Sequence, residues 1–181
     1  MRKKATLISI LLLAAIGITQ AQNEKYEFTP VKELKITPVK NQNRAGTCWS
    51  YAALGFFESE LLRIGKGEYD LSEMFIVNHS YRDKAEKYVR MHGKIGFAQG
   101  GVFQDVPYVM EHYGIVPDEV YRGLEYGEDM HVHSEMEKLA SNFVEGVVAN
   151  PNKKLSPVWK KAYNGIIDAY LGELPTSFEY K

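Results

Sequence analysis

The segment Gln42-Asn43-Arg44-Ala45-Gly46-Thr47-Cys48-Trp49-Ser50-Tyr51 contains the one cysteine of a 181-residue chain. Its first half is a polar turn ending at Gly46. Beyond it Tyr51, Leu54, Phe57, Leu61 and Leu62 recur at helical spacing until Gly65 stops the run. Thr47 stands where an N-cap belongs. Cys48 therefore falls in the first turn of an amphipathic helix, where the positive end of the helix dipole favours a nucleophilic thiolate. The plain alternative is a buried, inert cysteine.

Upstream, Pro30 and Pro38 and the alternation Val31, Leu34, Ile36, Val39 predict extended chain with a short strand over 34–39. Downstream, a second helix opens at Ser72 and carries Phe75, Ile76, His79 and Tyr81 towards Tyr88 and Val89. The stretch 92–101 holds Gly93, Gly96, Gly100 and Gly101 and reads as a loop. A third helix over about 104–113 ends at Gly114, a C′ residue. Ser134-Glu135-Met136-Glu137 has the form of a capping box opening a fourth helix to about 149. Ser156-Pro157 opens a fifth, with Pro at the first helical position and Gly172 at the end. The pattern is mainly helical.

The segment 42–51 closely resembles the active-site segment of the papain-like cysteine peptidases. Leu71-Ser72-Glu73 resembles the start of that family's second helix, Gln99-Gly100-Gly101 its substrate-binding loop, and Tyr113-Gly114-Ile115 its following turn. The matches keep the family's order from Val39 to about Tyr121. The resemblance implies an α+β papain-like fold, of which this chain holds the helical N-terminal half over 22–181. It implies Cys48 as nucleophile and Gln42, with the Cys48 N–H, as oxyanion donors. Gly100, Gly101 and Trp49 become the expected substrate-binding residues, peptides the expected partners, and no cofactor is implied. Where many family members have a cysteine pair, this chain has Ala45 and Ala98. Loss of both is similar to the bleomycin hydrolase and aminopeptidase C branch, as are the short stretch before the motif and the helical stretch over 134–171. That branch implies homo-oligomers.

The same resemblance puts the catalytic His and its Asn downstream, in a β-rich half this chain is expected to lack. None of His79, His92, His112, His131 and His133 sits in the family's context for the base. Two function classes follow. One is a cysteine-type peptidase, aminopeptidase-like, that forms an acyl-enzyme on Cys48 and is inactive as an isolated chain. The other is a non-catalytic peptide-binding or structural module derived from such an enzyme.

Composition bounds both. With 45% hydrophobic and 25% charged residues the chain is an ordinary globular one. Arg2, Lys3 and Lys4, the apolar run 7–18 and Thr19-Gln20-Ala21 read as a signal peptide over 1–21, with export to the periplasm or outside the cell. The run is too short for an anchor. The leader holds three of the 22 Lys+Arg and none of the 23 Asp+Glu, so the mature chain is more acidic than the formal −1 of the whole. That argues against a nucleic-acid partner or an anionic membrane surface.

Other features read as structure. His131-Val132-His133 lacks further ligands for a zinc site and reads as a solvated loop. The glycine loop lacks the ending of a P-loop. Phe56, Phe57, Phe75 and Tyr81 read as core. The sequon Asn78-His79-Ser80 falls within a helix, and Glu86-Lys87 and Glu135 to Lys138 read as solvated helix faces.

Overall fold

The computed structural model describes residues 26–180; the signal-peptide reading lies outside the described residues. The chain forms two compact units, Met1–Glu33 and Leu34–Lys181. The described part of the first, 26–33, has neither helix nor strand, and Tyr26, Phe28 and Val31 are exposed.

Five helices lie in the described part of the second unit: α1 (Cys48–Arg63), α2 (Glu73–Arg90), α3 (Asp105–Tyr113), α4 (Ser134–Val148) and α5 (Trp159–Leu171). α2 is the centre of the packing and touches the other four. Its apolar stripe of Met74, Val77, Tyr81 and Ala85 is buried, and Ile76 faces the same core. Leu54 of α1, Val106 and Val109 of α3, Met136, Ala140 and Val144 of α4, and Tyr163, Ile167 and Leu171 of α5 close on it. α4 and α5 form a hairpin on one side.

Helix ends follow from identifiable capping. The Ser72 hydroxyl accepts from Phe75 N at 3.0 Å and donates to Tyr121 O at 2.5 Å, which fixes the start of α2. α1 ends in a Schellman motif, with Lys66 N on Leu61 O at 2.8 Å, Gly65 N on Leu62 O at 3.1 Å, and Gly65 at φ +73°. α2 ends in the same motif, with His92 in the left-handed position at φ 51°.

Several sequence-based expectations need correction. The segment 34–39 is not a strand: no ladder partner lies beside it among the described residues, and Ile36 and Val39 are exposed. Thr47 occupies the N-cap of α1, but its side chain caps nothing and its buried hydroxyl has no partner. The Ser134–Glu137 capping box does not form. His133 is the N-cap of α4, and Ser134 is already its first residue. α5 begins at Trp159, two residues after Pro157. Phe56 is 52% exposed and so is not core, whereas Phe75 and Tyr81 are. Asn78 of the sequon is buried within α2, donating to Tyr121 Oη at 2.6 Å.

Among the described residues β-type pairing occurs only at isolated bridges, Arg44 with Val132 and Leu71 with Pro117. The α+β reading therefore appears here as its helical part.

Candidate active site

Cys48 is the first residue of α1, and its side chain is exposed. At that position a helix leaves its N–H without an intrahelical acceptor, and among the described residues no other group accepts it. Ser50 N and Tyr51 N both turn back to Thr47 O, at 2.9 and 3.3 Å, which sets the first turn. Ser50 Oγ, fully buried, donates to Glu73 O at 3.1 Å and ties that turn to α2.

The approach from half-buried Gln42 to Cys48 is pinned at successive residues. The Asn41 side chain accepts from Asn43 N at 2.8 Å, and Asn43 takes φ 50°. Asn43 Nδ2 and Arg44 N both donate to His131 O, at 3.1 and 3.0 Å, and His133 N donates to Arg44 O at 3.3 Å. Gly46 N donates to Gln99 Oε1 at 2.6 Å. The turn that carries Gln42 is thus braced by the strand-like segment 131–133 on one side and by the glycine loop on the other.

The loop holding Gly100 and Gly101 stands against α1. Trp49 Nε1 donates to Gln99 O at 3.0 Å. A Cβ on Gly101 would lie 2.6 Å from two Trp49 ring atoms, so glycine is what allows the indole to lie on the loop. Lys84 of α2 reaches over the Trp49 ring at 5.3 Å and donates to Gly100 O at 2.5 Å. Burial lowers the tendency of the Lys84 amine to hold its proton, with the Asp105 charge opposing. Glu137 of α4 accepts from Gln99 N at 3.1 Å and from Gln99 Nε2 at 2.5 Å. Glu137 is therefore part of this site and not of a solvated face.

Beside α1 lies a cleft of about 400 Å³ lined by Cys48, Tyr51, Ala52, Lys40, Glu58 and Glu73, among others. Lys40 Nζ meets Glu58 at 3.3 Å, Glu73 at 2.8 Å, Asp70 at 2.5 Å and Leu71 O at 2.9 Å. Glu58, 1% exposed, also accepts from Thr37 Oγ1 at 2.7 Å and Leu71 N at 2.8 Å. Burial raises the Glu73 carboxyl to about 7, with the Lys40 ammonium pulling the other way. Burial and the Glu73 charge raise the Tyr51 hydroxyl as well.

His131 and His133 are buried, not a solvated loop. Their rings meet edge to face at 5.5 Å, and neither ring nitrogen of His133 has a partner. Burial, and secondarily the His131 charge, lowers His133 to about 4. No metal-binding group of three or more His, Cys, Asp or Glu occurs among the described residues. His79 stacks on Tyr113 at 4.1 Å and His112 on Tyr108 at 4.0 Å, and among the described residues no histidine is hydrogen-bonded to Cys48.

The structure thus gathers Cys48, Trp49, Gly100 and Gly101 of the expected set in one place, with Gln42 on the braced turn leading into α1. Lys84, Glu137, Lys40 and the histidine pair were not legible as site residues. One usable signal existed: Lys84 continues the apolar stripe Val77, Tyr81, Tyr88 of α2, where a lysine calls for a partner.

The family model "Papain family cysteine protease" matches residues 23–167, and the chain belongs to that family. It is similar to cathepsin L2 of Homo sapiens, 33% identical over 86 residues, which covers 48% of this chain and 23% of that protein. It is similar to cathepsin J of Rattus norvegicus, 28% identical over 124 residues, covering 65% of this chain and 34% of that protein. The chain therefore spans about a third or less of the length of these curated relatives. Among solved structures, PepW from Lactobacillus rhamnosis HN001 superposes with a TM-score of 0.57 at 20% identity, over 84% of this chain and 41% of that one. The fold is papain-like.

Proposed function

We propose that this chain carries the nucleophile half of an exported cysteine peptidase of the bleomycin hydrolase or aminopeptidase C kind. The observation that carries the reading is the exposed Cys48 thiol at the first turn of α1, with the Gly100–Gly101 loop held against Trp49 beside it. In this reading Cys48 Sγ attacks the carbonyl carbon of a peptide bond. The C–N bond breaks, the amine departs with a proton, and water then hydrolyses the thioester to return the thiol. The Gln42 amide and the Cys48 N–H stabilise the oxyanion, a contribution of about 3 kcal/mol per donor. Gly100 and Gly101 hold the peptide backbone, and Trp49 walls the site. The His base and its Asn partner come from a second half, so the isolated chain binds and reacts but does not turn over. The branch reading is supported by Ala45 and Ala98 in place of paired cysteines and by the α4–α5 hairpin.

The test is labelling of the mature chain, 22–181, by a peptidyl epoxide selective for papain-like thiols, read by intact mass. A single adduct that disappears in Cys48→Ser is expected. No Cys48-dependent adduct would remove the peptidase reading. It would leave the second one, a peptide-binding module, which is favoured by the absence of any hydrogen bond from a histidine to Cys48 among the described residues.

A further inference from the structure

We infer that Glu137, acting through Gln99, is a positioning residue that locks the Cys48 turn to the Gly100–Gly101 loop without a covalent bridge. Its consequence for peptides rests on the peptidase reading above; the lock itself does not.

The argument is one of hydrogen-bond polarity. An ionised carboxylate only accepts, whereas an amide side chain has one accepting and one donating end. Glu137 turns one oxygen to Gln99 N and the other to Gln99 Nε2. The donating end of the Gln99 amide is thereby committed to α4, and its oxygen is left facing Gly46 N at 2.6 Å. Gly46 stands two residues before Cys48, and a Cβ there would lie 2.9 Å from Gln99 Cβ, so the two segments are in direct contact. The main-chain oxygen of Gln99 takes the Trp49 indole N–H at 3.0 Å. One residue thus joins the nucleophile turn, the first turn of α1, the glycine loop and α4. It does so where Ala45 and Ala98 flank the contact and no disulfide is available. A charge on α4, 38 residues away in sequence from the loop it holds, sets the orientation of the whole arrangement.

Glu137→Gln tests this with almost no change of shape. An amide at 137 supplies a single acceptor for two donors, and a Gln99 amide that turns to compensate points its NH₂ at Gly46 N–H. The double variant Gln99→Glu with Glu137→Gln restores every polarity: the carboxylate at 99 accepts from Gly46 N–H and from the amide at 137, whose oxygen accepts from the main-chain N–H of 99. Three readouts on the full mature chain are compared: exchange of the Gly46 amide and Trp49 indole protons by NMR, thermal unfolding, and Cys48 labelling. Arg44 N–H, bonded to His131 O on the other side of the turn, is the internal reference.

In Glu137→Gln the Gly46 amide is expected to exchange ~10-fold faster or more, the scale set by loss of one satisfied hydrogen bond. Arg44 should be unchanged. Labelling by the peptidyl epoxide should slow ~10-fold while labelling by iodoacetamide, which needs no loop, stays within about twofold. The double variant should return all three towards wild type. Unchanged Gly46 exchange in Glu137→Gln would overturn the inference. So would faster exchange at Arg44 and Gly46 alike, or a double variant that restores nothing. If the wild type takes no epoxide, the peptidase reading fails while Gly46 exchange still judges the lock.

Discussion

Gly100 and Gly101 are adjacent in sequence and unlike in surroundings. A methyl group on Gly100 would meet nothing within 4 Å, whereas one on Gly101 would meet the Trp49 ring at 2.6 Å and Asp105 Oδ2 at 2.9 Å. Trp49 cannot retreat, because its indole N–H is bonded to Gln99 and its ring is 7% exposed. Gly101→Ala is therefore expected to cost about 1–3 kcal/mol by overpacking and to slow peptidyl-epoxide labelling of Cys48. Gly100→Ala should lie within about 0.5 kcal/mol of wild type. Denaturant unfolding of the two variants side by side checks the contrast; equal losses would mean the indole does not lie on the loop. The two glycines were legible in the sequence as a motif. Their different roles were not, because they depend on a ring 52 residues away from Gly101 in the chain.

At the scale of elements, Lys40 is the joint between the segment before α1, α1 itself through Glu58, and the start of α2 through Glu73. One ammonium serves three carboxylates, two of them almost wholly buried. Lys40→Met keeps the aliphatic stem and strands those charges, at an expected cost of about 3–5 kcal/mol, read as a lower urea midpoint with unchanged slope. A loss under about 1 kcal/mol would mean that the carboxylates find water or protons without it. How much of the elements the sequence disclosed follows the same logic. α1 to α3 were readable because local signals, the Ser72 cap and the glycines at 65 and 114, coincide with tertiary demands. The start of α4 was misread because Ser134 and Glu137 satisfy a local motif while Glu137 is engaged by Gln99 instead. The strand over 34–39 was misread because alternation predicts a face to bury, and here Ile36 and Val39 stay exposed while Thr37 and Lys40 turn inwards.

The whole molecule carries buried and half-buried groups whose titrations oppose each other. His133 is lowered from 6.5 to about 4, so between those values the unfolded chain holds a proton that the folded chain refuses. Its contribution is complete above about pH 6.5 and is lost as pH falls towards 4. Glu73 is raised from 4.5 to about 7, so the folded chain holds a proton that the unfolded chain has released, and stability falls as pH rises across that window. His79 is lowered by burial to about 4 as well, His131 is lowered by burial, and both add to the first effect. Stability should therefore rise from about pH 5 to about pH 7 in the wild type, the histidines outweighing Glu73. Removing the ring charge in His133→Phe should remove about 2 kcal/mol of the acid-side loss and flatten the profile between those two pH values. Urea unfolding at both values checks it; a variant with the wild-type profile would show that His133 is not the group titrating.

The Lys40 joint also determines what the molecule offers to other enzymes. Lys32 and Lys35 are exposed on chain outside any helix or strand, where a trypsin-like protease can reach them. Lys40 has its ammonium committed to three carboxylates and a carbonyl, and Thr37 beside it is buried against Glu58. Trimming from the amino-terminal side therefore stops short of residue 37, and the anchored lysine marks the edge from which the folded unit resists digestion.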